Sequence, residues 1–133
     1  MSDFFSKKEI TISNSYLERG YVIRTVNNLD SLKWITNYFR EKIKKKIKRN
    51  ISGDYFNEIH NYVSLKNLNN FRLGIINDIN KSKTFKKHYY NVASEYLNIL
   101  VGNELSMQKS INLSIQMPND KSSLLDLHAD TWS

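Results

Sequence analysis

The sequence lacks cysteine, has only four glycines, all scattered, and contains no long apolar run. Without cysteine there is no disulfide, no thiolate metal site and no cysteine nucleophile. Isolated glycines provide no glycine-rich phosphate loop. No apolar stretch approaches the roughly 20 residues that cross a bilayer, and the N-terminus is already polar at Ser6, unlike a secretory signal. We therefore expect a cytoplasmic protein with no membrane partner.

Length and composition fit a single domain. The chain has 133 residues, of which 40% are hydrophobic, so it is the size of one ordinary domain and can bury one modest core. No internal repeat, low-complexity linker or domain boundary is visible in the sequence. We expect residues 1–133 to form one domain, mainly helical up to residue 105.

Positive charge is in excess and is concentrated in one run. The net charge is +7, and the densest cations lie in residues 42–49, which read KIKKKIKR. Clustered lysines neutralise phosphates, so a small basic module that binds nucleic acid or an anionic surface is one hypothesis. Lysine far outnumbers arginine, however, and asparagine and isoleucine are abundant, which is the joint bias of an AT-rich genome. Charge runs are usually solvated faces of helices, so we favour that interpretation over a nucleic-acid partner.

Apolar residues at intervals of three and four predict long helices at 30–48, 64–80 and 83–101. A shorter helix over 12–19 should stop at Gly20. In the first long helix Ile43 and Ile47 lie on the apolar side, so most lysines of the basic run lie on the solvent-exposed face. Gly102 stands where a glycine commonly follows the end of a helix.

The pattern after Gly102 changes from helical spacing to alternation. Apolar and polar residues alternate over 109–117, which predicts a strand with one apolar and one polar face. Turn-forming residues follow at 118–121, and 123–130 predicts a second strand, so that the two would form a hairpin. The β-branched stretch 21–26 predicts one more short strand. The fold class expected is α+β, with helices packed on one face of a small sheet.

His128 and Asp130 are the residues whose chemistry stands out. In an extended strand, positions i and i+2 point to the same side, so an imidazole and a carboxylate at this spacing can reach one ion. They supply two of the three ligands of the 2-His-1-carboxylate triad that binds iron(II) in oxygenases. On spacing alone, we favour the simpler interpretation of a polar strand end with a surface pair.

Both ends of the sequence resemble one family. Residues 116–133, which read QMPNDKSSLLDLHADTWS, and residues 12–21, which read ISNSYLERGY, resemble the iron(II)/2-oxoglutarate-dependent oxygenases of the sporadic carbohydrate cluster family. That family is similar to the phytanoyl-CoA dioxygenases. The segment around His128 and Asp130 is the most specific part of the resemblance, and the middle of the chain is less distinctive.

The resemblance implies a double-stranded β-helix, or jelly roll. Residues 1–105 would form the helices that pack against its larger sheet, and residues 106–133 would form the first strands of the barrel. The resemblance also implies that His128 and Asp130 hold iron(II), with 2-oxoglutarate as cosubstrate. In such enzymes a distal histidine and a basic residue that binds 2-oxoglutarate lie on later strands, and this sequence has neither after Asp130. We therefore expect the N-terminal portion of an enzyme, inactive alone, with a truncated reading frame or a partial sequence as the simplest account. His60 and His88 precede the motif in or near helices, so neither is assigned as the third ligand.

A substrate or cosubstrate pocket is expected from the polar positions around the motif. Its candidate residues are Asn112, Ser114, Gln116, Asp126 and Trp132. The first three form the polar face of the predicted strand, which either lines a barrel interior or simply meets solvent. Asp126 shares the face of His128 by parity, and Trp132 either packs beside the metal site or fills the core.

The function expected is that of a dioxygenase fragment that acts on a small, carbohydrate-linked substrate, as in carbohydrate biosynthesis. The alternatives are the basic binding module and a catalytically inactive interaction protein that keeps the helical portion. Metal-dependent stabilisation would favour the enzyme. A steep salt dependence of nucleic-acid binding would favour the basic module.

Overall fold

Four α-helices make up most of the structure, a computed structural model that describes residues 4–49, 51, 53–102, 105–106 and 108–120. They are α1 (Lys7–Arg19), α2 (Leu29–Ile47), α3 (Leu65–Lys81) and α4 (Lys83–Val101), and a short 3-10 helix, Ile59–Asn61, lies between α2 and α3. Within these ranges no helix is long and apolar enough to cross a membrane. The four helices pack in the manner of a bundle.

The expected α+β fold is wrong, because the part of the chain that the structure describes contains no strand and no sheet. Residues 109–117 do bury one face, but no second chain segment pairs with their backbone there. A period of two identifies one buried face; a sheet also requires a neighbouring strand. The predicted hairpin and jelly roll are therefore not formed by the described residues, and the second predicted strand, 123–130, lies outside them.

The predicted strand over 21–26 is also corrected, to an irregular connection between α1 and α2. Two of its apolar side chains face solvent, since Tyr21 is 58% exposed and Ile23 is 80% exposed, whereas Val22 and Val26 are half-buried. The backbone carbonyl of Thr25 accepts a hydrogen bond from the Tyr96 hydroxyl at 3.0 Å. The connection is held by that side chain of α4 and not by a strand neighbour.

Capping residues set the ends of α1. The Ser6 hydroxyl accepts from the Glu9 amide at 3.2 Å and the Glu9 carboxylate accepts from the Ser6 amide at 2.6 Å, which forms a reciprocal capping box. At the other end Gly20 adopts φ +75°, and its amide donates to the Tyr16 carbonyl. A left-handed residue ends the helix at little cost only when it has no Cβ. The predicted stop at Gly20 is confirmed, whereas the predicted start at residue 12 is wrong, because the Ser6 cap begins the helix at Lys7.

The three long helices agree with the predicted ranges within two residues at each end. Asn28 begins α2, because its side chain accepts from the Ser31 amide at 2.9 Å. Ser82 ends α3 and also begins α4, where its hydroxyl accepts from the Phe85 amide at 3.1 Å. A single residue between two helices forces a sharp corner, so α4 returns directly against α3.

The core is built around α4, which contacts each of the other three helices. Phe85 is 1% exposed, and its ring lies 5.1 Å from that of Tyr38 and 5.5 Å from that of Phe39, edge-on to the latter. Ile75 and Ile79 of α3 are equally buried. Aromatic pairs of this kind add about 0.5–1.5 kcal/mol each beyond the area they bury. The turn at Ser82 thus places the buried Phe85 ring at the centre of the bundle.

Candidate functional site

The predicted metal ligands His128 and Asp130, and the pocket candidates Asp126 and Trp132, lie outside the described residues. Among the residues that are described, no group of three or more His, Asp or Glu side chains is placed to hold a metal ion. Whether this chain suits iron(II) is therefore judged from the donor atoms that His128 and Asp130 provide. An imidazole nitrogen and a carboxylate oxygen are two of the three donors that iron(II) takes in facial-triad oxygenases.

The remaining pocket candidates lie on one face of an extended segment, residues 111–117, which we call the 111–117 segment. Asn112, Ser114 and Gln116 are exposed, whereas Ile111 is 8% and Met117 is 5% exposed. Leu113 and Ile115 are half-buried and pack against the core. The predicted alternation of an inward apolar face and an outward polar face is confirmed. No barrel formed by the described residues encloses the polar face.

Side chains of α3 take the place of a neighbouring strand along the 111–117 segment. The Asn80 side chain bonds both backbone groups of Ile111: it accepts from the amide at 2.7 Å and donates to the carbonyl at 2.8 Å. Arg72 reaches the Leu113 carbonyl at 3.5 Å. A primary amide presents a donor and an acceptor side by side, as a strand backbone does. The segment is thereby fixed on α3 without a sheet.

A turn directly follows the 111–117 segment, as predicted. The Asp120 amide donates to the Met117 carbonyl at 3.3 Å, and Asn119 adopts φ +62°. Proline at the second position and a left-handed residue at the third are typical of a type II turn. The Gln116 side chain also donates to the Asp120 carbonyl at 2.6 Å. Gln116 therefore has a structural role in the turn besides its place on the polar face.

The polar face carries amides and a hydroxyl, which donate and accept hydrogen bonds but neither titrate nor attack at neutral pH. Asn112 also bonds locally, since its side-chain oxygen accepts from the Leu113 amide at 2.9 Å. Ser114 borders two surface depressions, one of about 430 Å³ near Arg72 and one of about 350 Å³ near Ile75. Such a face can orient a polar ligand. The assignment of these three residues to a substrate pocket stays a prediction.

The structure describes two histidines, His88 and His60. His88 lies on α4, where its Nδ1 is 3.0 Å from the Ser31 hydroxyl and its ring stacks on Trp34 at 4.3 Å between centroids. His60 is exposed in the 3-10 helix. Neither histidine lies in a described cluster of potential ligands.

The Ser31–His88 pair was missed from the sequence. Ser31 is 2% exposed, so its hydroxyl is closed to a substrate, and the pair acts as a buried polar link between α2 and α4. The two residues lie 57 positions apart, and no spacing motif joins them. A buried polar group without a partner costs about 1–3 kcal/mol, which explains why the two occur together.

A second polar cluster joins the N-terminal part of the chain to α4. The Glu95 carboxylate receives hydrogen bonds from the Lys8 ammonium and from the Asn27 amide. The hydrogen bond and the charge of Lys8 lower the pKa of Glu95, and the same contact raises the pKa of Lys8. These groups are solvent-accessible, so the cluster ties α1 and the α1–α2 connection to α4 and shows no sign of a buried catalytic carboxylate.

The basic run lies on the last turns of α2, with Ile43 buried and Ile47 half-buried as predicted. Two of its lysines face α3. The Lys42 and Lys46 ammonium groups lie 3.4 and 3.9 Å from the Asp78 carboxylate, and Lys42 also lies over the Tyr38 ring at 5.1 Å. Accessible ion pairs contribute about 0–1 kcal/mol each. Part of the run therefore supports the packing of α2 on α3, while Lys44 and Lys45 are exposed to solvent.

Comparison with known proteins adds no relative: no protein-family model matches this chain, and no curated protein and no solved structure matches it.

Proposed function

We propose that this chain supplies His128 and Asp130 as two of the three metal ligands of an iron(II)/2-oxoglutarate-dependent oxygenase. The observation that carries the proposal is the His-x-Asp spacing inside the segment LHADTWS. The resemblance of that segment, and of residues 12–21, to the carbohydrate-cluster oxygenases supports it. The jelly roll is not part of the proposal.

In such an enzyme dioxygen would be the oxidant and 2-oxoglutarate the co-reductant, and bound iron(II) would supply the oxidising chemistry, which belongs to the cofactor and not to the side chains. The contribution of this chain is binding and orientation. The imidazole of His128 and the carboxylate of Asp130 would hold the metal, and the substrate would be a small, carbohydrate-linked molecule. The cytoplasmic setting favoured by the cysteine-free composition belongs to the same proposal.

The polar face of the 111–117 segment supports a positioning role next to that metal site. Asn112 and Ser114 are exposed and uncharged, and the segment leads through a turn toward the residues that carry the ligands. Amide and hydroxyl groups match the hydroxyls of a carbohydrate. Because Asn80 fixes the backbone at Ile111, these side chains are held on a rigid support.

The test is a titration of the full chain with cobalt(II), whose visible absorption changes when it gains an imidazole ligand. We expect weak, saturable binding, because two protein ligands enforce less geometry than three. His128→Ala should abolish the signal. His60→Ala removes an exposed histidine away from the motif and serves as the matched control, which should bind like the parent chain.

Two results would overturn the proposal. If the chain shows no cobalt(II) signal at millimolar metal, His128 and Asp130 do not form a site. If His128→Ala binds as the parent does while His60→Ala does not, the metal is held elsewhere. Circular dichroism of each variant separates loss of ligation from loss of the helices.

A further inference from the structure

A groove runs between α2, α4 and the chain that precedes the 111–117 segment. We call it the α2–α4 groove and define it by Leu32 and Ile35 of α2, Tyr89 and Leu97 of α4, and Ile111. Its volume is about 730 Å³. Sites for small molecules commonly measure about 300–1,000 Å³, so the groove is large enough for one such ligand.

The walls of the α2–α4 groove are apolar and partly open to solvent. Leu32 is 38% exposed and Tyr89 is 48% exposed, although each projects beside buried neighbours. The Tyr89 ring lies parallel to that of Phe85, with 6.3 Å between centroids. Since Phe85 is fully buried, the Tyr89 ring stands at the edge of the core and offers an aromatic surface to a flat apolar group.

Apart from the hydroxyls of Tyr89 and Tyr90 on α4, the polar groups of the described lining lie along one side of the groove. They come from the chain that leads into the 111–117 segment and are Ser106, Gln108, Ser110 and Asn112. None of the described residues that line the groove is charged, although the chain carries a net charge of +7. A charged ligand group in this groove would lose hydration without gaining a partner, whereas hydroxyl and carbonyl groups would find donors and acceptors.

We propose that the α2–α4 groove binds a neutral, amphipathic small molecule. Its apolar part lies against Tyr89 and Leu97, and its hydroxyl or carbonyl groups face the polar side at Ser110 and Asn112. The inference comes from the volume, the aromatic wall and the absence of charge in the described lining. It does not depend on His128 or Asp130, so it can be tested independently of the proposed metal site.

The probe that tests the groove is N-phenyl-1-naphthylamine, an uncharged dye whose fluorescence rises in apolar surroundings. The full chain should bind it saturably with a stoichiometry near one. Ala93 lies on the groove wall, so Ala93→Trp should fill the space and weaken binding about tenfold or more. Tyr89→Ala should weaken it by removing the aromatic wall. Tyr21→Ala, which removes an exposed tyrosine outside the groove, is the matched control and should leave affinity unchanged.

Three results would overturn the inference. The first is the absence of saturable dye binding. The second is equal affinity in the parent, Ala93→Trp and Tyr89→Ala while all three keep their helical circular dichroism. The third is self-association that blocks dye binding and is relieved by Ala93→Trp, because the groove would then be covered by a second copy of the chain. Tyr89→Ala keeps the test decisive if Ala93→Trp does not fold.

Discussion

Asn80 joins α3 to the 111–117 segment, and replacing it with alanine removes both of its hydrogen bonds to Ile111. A net contribution near 1 kcal/mol per bond is typical, and more is lost when a buried backbone group is left unpaired. Ile111 is 8% exposed, so water does not fully replace the lost partner. We expect a loss of about 2–3 kcal/mol from these bonds.

Alanine also favours helix more than asparagine does, by roughly 0.6 kcal/mol, which offsets part of that loss. The net change expected for Asn80→Ala is therefore about 2 kcal/mol of destabilisation. Asn77 is exposed on the same helix, so Asn77→Ala isolates the propensity effect and should stabilise slightly. The difference between the two variants measures the loss of the Asn80 side-chain contacts, which also include a hydrogen bond to the Ile76 carbonyl at 3.0 Å.

Urea unfolding followed by circular dichroism gives the free energies, and hydrogen exchange at the Ile111 amide gives the local effect. Exchange should accelerate in Asn80→Ala and stay slow in Asn77→Ala. Asn80→Asp keeps the acceptor for the Ile111 amide but places a carboxylate oxygen against the Ile111 carbonyl, so it should also be less stable than the parent. If both alanine variants have equal stability and equal exchange at Ile111, the anchoring role of Asn80 is refuted.

Three further predictions follow from individual contacts. Gly74→Ala should stabilise the chain by up to ~1 kcal/mol through helix propensity, because the added methyl meets only the flexible end of Lys46; destabilisation in urea would contradict this. Phe85→Ala should cost about 3–5 kcal/mol, since the ring is fully buried, and a change below ~1 kcal/mol would show that the aromatic cluster is not packed as described. Glu95 has a lowered pKa in the fold, so its stabilising effect is present above about pH 4.5 and is lost as the pH falls further. The stability difference between the parent and Glu95→Gln should therefore be larger at pH 7 than at pH 3, and a difference independent of pH would contradict it.

Local chemistry determined the helices of this protein. The helix ends are set by hydrogen bonds between residues no more than four positions apart, at Ser6 with Glu9, Gly20, Asn28 and Ser82. The effect of these residues can therefore be read from the local sequence. The alternation at 111–117 and the turn at Pro118 are local in the same sense. Each of these features was predictable because its cause lies within one turn or one strand repeat.

For the candidate site, the sequence predicted which residues belong to it but not how they are arranged in space. The polar face of Asn112, Ser114 and Gln116 follows from alternation alone, and the structure places these side chains outward. His128 and Asp130 remain a prediction from spacing and resemblance, since they lie outside the described residues. The α2–α4 groove had no sequence signal, because its walls come from two helices and a distant segment.

Only the tertiary structure decided what the 111–117 segment pairs with. An alternating sequence satisfies its backbone equally well with a neighbouring strand or with suitable side chains, and periodicity does not distinguish the two. Asn80 lies 31 residues before Ile111, and its amide bonds both backbone groups once the corner at Ser82 has brought α3 and α4 together. The same is true of Ser31 and His88, which meet only because α2 packs on α4. The sequence by itself determined which faces are buried; long-range packing determined which partners those faces meet.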